Sequence, residues 1–333
     1  KGAPWPATRL LFETLSALLP LGSPATDSHP ALAVWRQAWS TFEEVLLRHP
    51  VDAGSDQPLK AAAEALQRAG IHMPVLLPEV LQLLTKSIRG REVSEVLLHV
   101  LRELVVSVPC PPVAPDQAAQ LLCASITTAT EAVLQNTQSI LEQPDDLAAL
   151  FLLLADAVRP SLPGTAGNGP CEDKLRPLII AHRVLVGRCL SLVSVALPEC
   201  RSQVASTQMI RFVTRLMSAE EAEPEAHSQM LKAALSPICA ALCRAMAEQD
   251  FFEEPEALTE AGELLLAAAA VLPADLPSAL TAGLGHVALP NHSKALLEQH
   301  VQARAEWSQK GHWLEQLQQI VAEWQSERHL KVL

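Results

Sequence analysis

The stretch from Val75 to Val106 constrains the fold most strongly, because it carries two amphipathic patterns in direct succession. Apolar residues in its first half recur at helical spacing, at Leu76, Val80, Leu83, Leu84 and Ile88. Gly90 interrupts the pattern, which then restarts at Val93, Val96, Leu97, Val100, Leu101 and Leu104. Two single-faced helices with so short a gap predict an antiparallel helical hairpin. Such a hairpin cannot bury both apolar stripes alone, so it requires similar units beside it.

The rest of the chain supplies such units, and its composition favours helices. Nearly half of the 333 residues are apolar, aromatic residues make up only 4%, and tyrosine is absent. Alanine and leucine are strong helix formers, and we see no convincing alternating strand pattern and no Asn-Gly or Asp-Gly hairpin turn between apolar runs. We therefore predict an all-α fold, an α-solenoid of HEAT-type antiparallel helix pairs wound into a right-handed superhelix. Pair spacing of about 40 residues is typical of such repeats.

The apolar periodicity and the proline and glycine breaks place the helices. We predict the first at about Ala7 to Leu19, with Leu11, Leu15 and Leu18 on its inner side. The others are predicted at Pro30–Arg48, Pro58–Ala69, Asp116–Glu142, Asp145–Val158, Arg201–Met217, Ala257–Leu272, Ser278–Val287, Ser293–Ser308 and His312–Arg328. Residues 173–197 form one helix or a broken pair, and another helix ends near Glu248. The whole chain, 1–333, is expected to be one continuous array of about seven hairpins. Its flexible loop lies near 159–171, where proline and glycine cluster.

The sequence gives little sign of catalysis. Cys239 and Cys243 lie one helical turn apart, but a zinc site needs about four ligands and no nearby cluster completes one. Residues 164–169 are glycine-rich yet lack the Lys-Ser/Thr of a phosphate-binding loop. We expect no enzyme activity, no metal and no cofactor.

Charge and hydropathy exclude further classes. A formal charge of −12 argues against direct nucleic-acid binding, which needs a basic face. No purely apolar run exceeds nine residues, the length of Leu264 to Leu272, which is far below the roughly 18 of a membrane span, so no membrane insertion is expected. Seven cysteines, several of them within helical patterns, indicate reduced thiols of the cytosol or nucleus.

Acidic residues concentrate between residues 219 and 263. That segment has eleven of them against Lys232 and Arg244. They are either solvated loops that keep an apolar protein soluble or a ridge that binds a basic protein partner. The ridge would comprise Glu220, Glu221, Glu223, Glu225, Glu253 and Glu254. Phe251 and Phe252 either anchor this region to the stack or contact the partner.

Three blocks carry a resemblance to a known family: residues 29–39 (HPALAVWRQAW), residues 74–106, and residues 145–155 (DDLAALFLLLA). They resemble the C-terminal half of importin-β-type nuclear transport receptors, or karyopherins, of the transportin-3 and importin-13 branch. The chain begins with Lys-Gly rather than Met, which suits a fragment of a longer receptor.

The resemblance implies a cargo-binding C-terminal arch that shuttles between cytoplasm and nucleus and carries proteins through nuclear pores. The GTPase Ran would control loading, mainly through an N-terminal arch that precedes this chain, and nucleoporins would be further partners. The second helix of each pair would line the inner face. That places two triplets there: Lys60, Glu64 and Arg68, then Glu95, His99 and Arg102.

The chain departs from the family's handling of phosphorylated Arg-Ser-rich cargo, which uses an arginine-rich inner helix. The matching helix here has only Lys60 and Arg68, with Glu64 between them. Two cations are a weak clamp for several phosphates, so the pattern favours an importin-13-like or a divergent member. The alternative function is a Ran-independent HEAT-repeat scaffold for assembling protein complexes.

Overall fold

A computed structural model describes residues 5–19, 29–48, 57–90, 95–107, 115–135, 142–159, 172–218, 224–285, 295, 315 and 317–326. Within these ranges the regular structure is entirely helical, without a strand. The predicted all-α class is confirmed. The loop predicted near 159–171 lies outside these ranges except for Arg159, and the helix predicted at Ser293–Ser308 does so except for Ala295.

The helices are numbered in chain order. They are α1 (Trp5–Ala17), α2 (Pro30–Arg48), α3 (Gln57–His72), α4 (Leu77–Gly90), α5 (Glu95–Ser107), α6 (Pro115–Gln135), α7 (Pro144–Ala157), α8 (Glu172–Ala181), α9 (Arg183–Glu199), α10 (Gln203–Met217), α11 (Pro224–Glu248), α12 (Pro255–Val271) and α13 (Leu276–Gly285). Short 3-10 turns occupy Pro74–Leu76 and Asp250–Glu253, and residues 317–326 are helical.

Proline and glycine positions explain most of these boundaries. Helices α2, α6, α7, α11 and α12 each begin with proline, which is tolerated there because the first N–H groups have no partner within the helix. Helix α4 ends at Gly90, as the hairpin pattern predicts. The segment 173–197 is a broken pair, since α8 ends at Ala181 and α9 begins at Arg183. Helix α6 is described to Gln135, so its predicted extension to Glu142 stays a prediction.

The predicted inner face of α1 is partly wrong. Leu15 is buried as expected, but Leu18 is 42% exposed, and Phe12 is buried instead. Phe12 stacks on Phe42 of α2 with ring centroids 4.6 Å apart, and Trp35 stacks on the same ring at 5.4 Å. The aromatic cluster sets the rotation of α1, because burying a large ring removes more apolar surface than burying one leucine.

The contacts divide the chain into two compact units. Unit 1 comprises Lys1–Thr137 and Asp156–Ala181, and unit 2 comprises Gln138–Ala155 and His182–Leu333. The single continuous array stays a prediction.

In unit 1, helices two apart in the chain pack side by side. Helices α1, α3 and α5 form one row, and α2, α4, α6 and α8 form the other. Consecutive helices contact each other between the rows. The α1–α3–α5 row contains a close approach at Gly70, where an added Cβ would lie 2.6 Å from Leu104 Cδ2. This alternation gives α3 and α5 a shared surface.

Unit 2 follows the same rule. Helices α9, α11 and α13 pack in one row, and α10 packs against α12. Helices α11 and α13 approach at backbone distance, since a Cβ on Gly283 would lie 2.9 Å from Ala240 Cα. Phe151 of α7 contacts Phe212 of α10, with ring centroids 5.6 Å apart.

Two glutamines tie helix ends together in unit 2. Gln249 Nε2 donates to the carbonyls of Leu197 and Pro198 at the end of α9, at 3.3 and 2.7 Å. Gln325 Nε2 likewise donates to the carbonyl of Met246 in the last turn of α11 at 3.3 Å and to that of Gln249 just after the helix at 3.1 Å. Carbonyls in the last helical turn lack intrahelical partners, so each amide satisfies buried acceptors.

Helix α11 is long and apolar enough to cross a bilayer, with a mean hydropathy of 1.4 over its best window in Glu225–Glu248. However, 56% of that window is buried inside the protein. Core helices commonly meet the same criteria, and α11 lies between α9 and α13. A membrane role therefore gains little support from this helix.

Candidate protein-binding surface

Helix α3 separates its apolar and charged residues by face. Leu59, Ala62 and Leu66 are buried against the core. The opposite face exposes Lys60, Glu64 and Arg68. Residues four apart lie one above the other along a helix, so these three side chains form a single line. We call them the α3 stripe.

A groove runs along the α3 stripe. Arg9, Phe12 and Glu13 of α1 form its other wall, and its cavity measures about 450 Å³. Phe12 and Ala65 are each 1% exposed and form an apolar floor. Pockets of roughly 300–1,000 Å³ with an apolar base and a few polar groups are typical binding sites.

The charges on the two walls differ in their pairing. Arg9 Nε lies 2.7 Å from Glu13 Oε1, so the α1 wall neutralises itself. Within the described part of the chain, Lys60, Glu64 and Arg68 have no ion-pair partner within 4.0 Å. The α3 stripe therefore keeps its charges available for another molecule.

The second predicted triplet, on α5, is engaged within the protein. His99 Nε2 lies 3.2 Å from Glu95 Oε1. Arg102 Nε donates to Asp156 Oδ2 at 2.7 Å, and its Nη1 donates to Glu103 Oε1 at 2.7 Å. Asp156 is only 3% exposed, and Arg159 Nη2 also contacts it at 3.3 Å. A buried carboxylate needs such partners, so Arg102 has a structural task within unit 1.

The structure thus brings both triplets to the α1–α3–α5 row, on neighbouring helices. The two triplets differ in their ion pairs, since the α5 triplet is engaged within the protein and the α3 triplet is not paired among the described residues. The apolar pattern of a single helix cannot show this difference. Arg9, Phe12 and Glu13 were missed by the sequence reasoning. The i, i+3, i+4 spacing of these residues was a visible signal, but their contribution depends on the packing of α1 against α3, two helices along the chain.

Few of the predicted acidic ridge residues are described. Glu225 is exposed in the first turn of α11, and Glu254 is exposed just before α12. Carboxylates at these positions lie near helix N-termini, where they interact favourably with the positive end of the helix dipole. The remaining residues, Glu220, Glu221 and Glu223 together with the side chain of Glu253, lie outside the described residues.

Phe251 and Phe252, the two phenylalanines of the acidic run, lie in different environments. Phe252 is 0% exposed, which confirms its anchoring role, whereas Phe251 is half-buried. Their rings lie 4.9 Å apart. Phe251 also borders a polar cavity of about 680 Å³ at the ends of α9 and α11.

Arg244 organises that polar cavity. Its Nη2 lies 2.9 Å from Glu199 Oε1 and its Nε lies 3.1 Å from Glu248 Oε2. The Glu248 carboxylate, with a smaller contribution from Glu199, raises the pKa of the Arg244 guanidinium further above its ordinary value. These charges partly neutralise one another, so the cavity is less acidic than the sequence run suggests.

The cysteine pair lies in the core of unit 2. Burial raises the pKa of the Cys243 thiol to about 12, and burial together with the neighbouring Cys243 raises that of Cys239 further. Burial also raises the pKa of Cys189 to about 12. Thiolates are the forms that bind metals and attack electrophiles, and these groups are neutral thiols near pH 7. Among the described residues no group of three or more His, Cys, Asp and Glu side chains could hold a metal ion.

Comparison with protein-family models gives no match for this chain. Comparison with curated proteins also gives no match. The resemblance to nuclear transport receptors therefore rests on the sequence blocks alone.

Proposed function

We propose that this chain is a HEAT-type α-solenoid that binds other proteins through the α1–α3–α5 row. The observation that carries this proposal is the α3 stripe, three exposed charges without ion-pair partners in the described residues, beside an apolar-floored groove. Stacked helix pairs supply such surfaces readily, because each pair buries its apolar stripes against its neighbours and leaves a polar face outside. The side-by-side rows in each unit support this architecture.

The finer form of the proposal is the cargo-binding C-terminal arch of an importin-β-type nuclear transport receptor. The three resembling sequence blocks support it. So does the placement of α3 and α5, second helices of successive pairs, in one row. In this reading Ran binds mainly to repeats that precede this chain, cargo and nucleoporins are the partners, and the protein shuttles between cytoplasm and nucleus.

The deciding experiment is a pull-down from nuclear and cytosolic extracts on the full-length protein, with and without Ran held in its GTP form. Direct Ran-GTP binding together with a changed set of retained proteins is the result that transport requires. Retention of the same partners with no bound Ran would instead assign the chain to Ran-independent scaffolds of protein complexes.

Small-angle X-ray scattering tests the solenoid architecture separately. A compact globular domain of this length has a radius of gyration of about 20 Å. An open array of stacked hairpins gives a clearly larger value, because each pair contacts only its neighbours. A value near the globular one contradicts the solenoid while leaving protein binding to be judged by the pull-down.

A further inference from the structure

The α3 stripe alternates in sign along its length. Lys60, Glu64 and Arg68 carry positive, negative and positive charge at successive helical turns, so their backbone positions are about 6 Å apart along the helix axis. All three are exposed and border the same groove. The Arg9 and Glu13 pair on the opposite wall contributes no net charge. The charges that a partner meets in the groove are therefore mainly those of the α3 stripe.

We propose that this groove binds an amphipathic α-helix of a partner protein, with acid, base and acid residues at one-turn intervals facing the α3 stripe. Small or flexible apolar residues of that helix pack on the apolar lining of the groove, where Ala17 and Ala61 are more accessible than Phe12 and Ala65 beneath them. The inference rests on the proposed function in one respect, since it takes the α1–α3–α5 row as a protein-binding surface. It then names the class of segment that binds there.

The groove walls favour a helical occupant over an extended one. Both walls are helices, whose backbone N–H and C=O groups are satisfied internally, so the groove offers mainly side chains. An extended peptide would leave its own backbone groups without partners on the groove side. A helix satisfies its backbone by itself and presents residues i, i+4 and i+8 at the same spacing as the α3 stripe.

Charge complementarity selects the order of charges on the occupant. A uniformly acidic segment would place a carboxylate against Glu64, and a uniformly basic one would place cations against Lys60 and Arg68. Like charges in contact are unfavourable and suppress wrong partners. An acid–base–acid helix makes three favourable pairs, whereas its charge-inverted counterpart makes three repulsive ones.

Two designed helical peptides of identical composition test the inference. One carries Glu, Lys and Glu at i, i+4 and i+8 beside an Ala/Leu face, with a fourth charge, Lys, on the far side. The other carries Lys, Glu and Lys, with Glu on the far side, so both have zero net charge. Binding to the chain is measured by fluorescence anisotropy at physiological salt. We expect the first peptide to bind at least about tenfold more tightly, because three exposed pairs change from attraction to repulsion.

The triple charge reversal Lys60→Glu, Glu64→Lys and Arg68→Glu should invert this preference. The three sites are exposed, and these residue types have similar helix propensities, so circular dichroism and thermal unfolding should stay unchanged. The reversal lowers the net charge by two. Arg188→Glu on the exposed face of α9 makes the same net change away from the groove and should leave the preference intact. Equal affinity for both peptides, binding of neither, or a preference that the reversal leaves unchanged would overturn the proposal.

The peptide experiment and the Ran-GTP pull-down together distinguish this inference from the proposed function. If the pull-down retains partners that respond to Ran-GTP but the peptides show no preference, the transport function stands and the groove proposal fails. If the peptide preference inverts but Ran has no effect, the groove proposal stands and the transport function fails.

Discussion

Both units bridge neighbouring helices with charged pairs, as Arg244 of α11 does with Glu199 of α9 in unit 2, but the units differ in how closely their helix backbones approach. In unit 1, exposed charges bridge neighbouring helices, as between Arg36 of α2 and Glu79 of α4 at 3.7 Å. Lys86 of α4 and Glu43 of α2 lie 3.8 Å apart. In unit 2, α11 and α13 meet at backbone distance through Gly283. Charges that bridge helices are therefore common to both units, so a line of three exposed charges without ion-pair partners in the described residues stands out.

The α3 stripe is such a line of charges. Isolated surface ion pairs contribute about 0–1 kcal/mol each, so the lack of ion-pair partners for Lys60, Glu64 and Arg68 among the described residues costs the fold little. Surface charges of this kind contribute to specificity instead, because they repel partners with like charges and attract partners with complementary ones.

The largest expected effect concerns the buried carboxylate of unit 1. Asp156→Ala removes the acceptor of Arg102 and Arg159 and should lower the free energy of unfolding by about 2–4 kcal/mol. The partial exposure of both arginines keeps the loss below that of a fully buried pair. Chemical denaturation provides the measurement, and Glu13→Ala in the exposed pair with Arg9 should cost about 0.5 kcal/mol or less. Equal losses for the two variants would show that burial of Asp156 is unimportant.

The next effect tests the backbone contact of unit 2. Gly283→Ala places a Cβ 2.9 Å from both Ala240 Cα and Ala240 N, so α11 and α13 must separate. We expect a loss of about 1–3 kcal/mol in the free energy of unfolding. Gly285→Ala is the matched control, because no atom lies within 4 Å of its added Cβ. A neutral Gly283→Ala variant would mean that the helices can move apart freely.

Alkaline pH should destabilise the protein through the buried thiols of unit 2. Cys243 titrates near 9.0 when unfolded and at about 12 when folded. The unfolded state therefore loses its proton first, and the stabilising contribution present below pH 9 declines as pH rises toward 12. The expected slope is roughly 1.4 kcal/mol per pH unit for each such thiol. Urea unfolding of the wild type and Cys243→Ala at several pH values measures it. A slope identical in both proteins would exclude this thiol as the cause.

The smallest effect is a gain in stability. Gly187 lies in mid-helix in α9 with nothing within 4 Å of an added Cβ, so Gly187→Ala should stabilise by about 0.5–1 kcal/mol. Gly70→Ala makes the same substitution in α3, where the Cβ meets Leu104 Cδ2 at 2.6 Å. That contact should cancel or reverse the gain. Thermal unfolding of both variants decides whether helix propensity or packing dominates at each site.

The periodic apolar pattern was sufficient to predict the class and most helix boundaries, as in the α4 and α5 hairpin with its break at Gly90. It was insufficient where tertiary packing chooses among several apolar residues. In α1 the stack on Phe42 selects Phe12 over Leu18, and one helix alone cannot reveal that choice.

The candidate site shows the same division. The exposed spacing of Lys60, Glu64 and Arg68 was readable from α3 alone. The engagement of Arg102 was not, because its partner Asp156 is 54 residues away in sequence. The cavity beside α3 likewise depends on the packing of α1 against it.

The most direct test of a partner surface on α3 is lysine reactivity. The chain is acetylated with an amine-selective reagent, alone and with a protein partner retained in the pull-down, and modification is quantified by mass spectrometry. Lys60 on the α3 stripe should lose most of its reactivity in the complex. Lys232 of α11, which lies 2.8 Å from Asp275 and has a 60% exposed side chain, should keep its reactivity. Unchanged Lys60 with protected Lys232 would contradict the account and place the partner on unit 2.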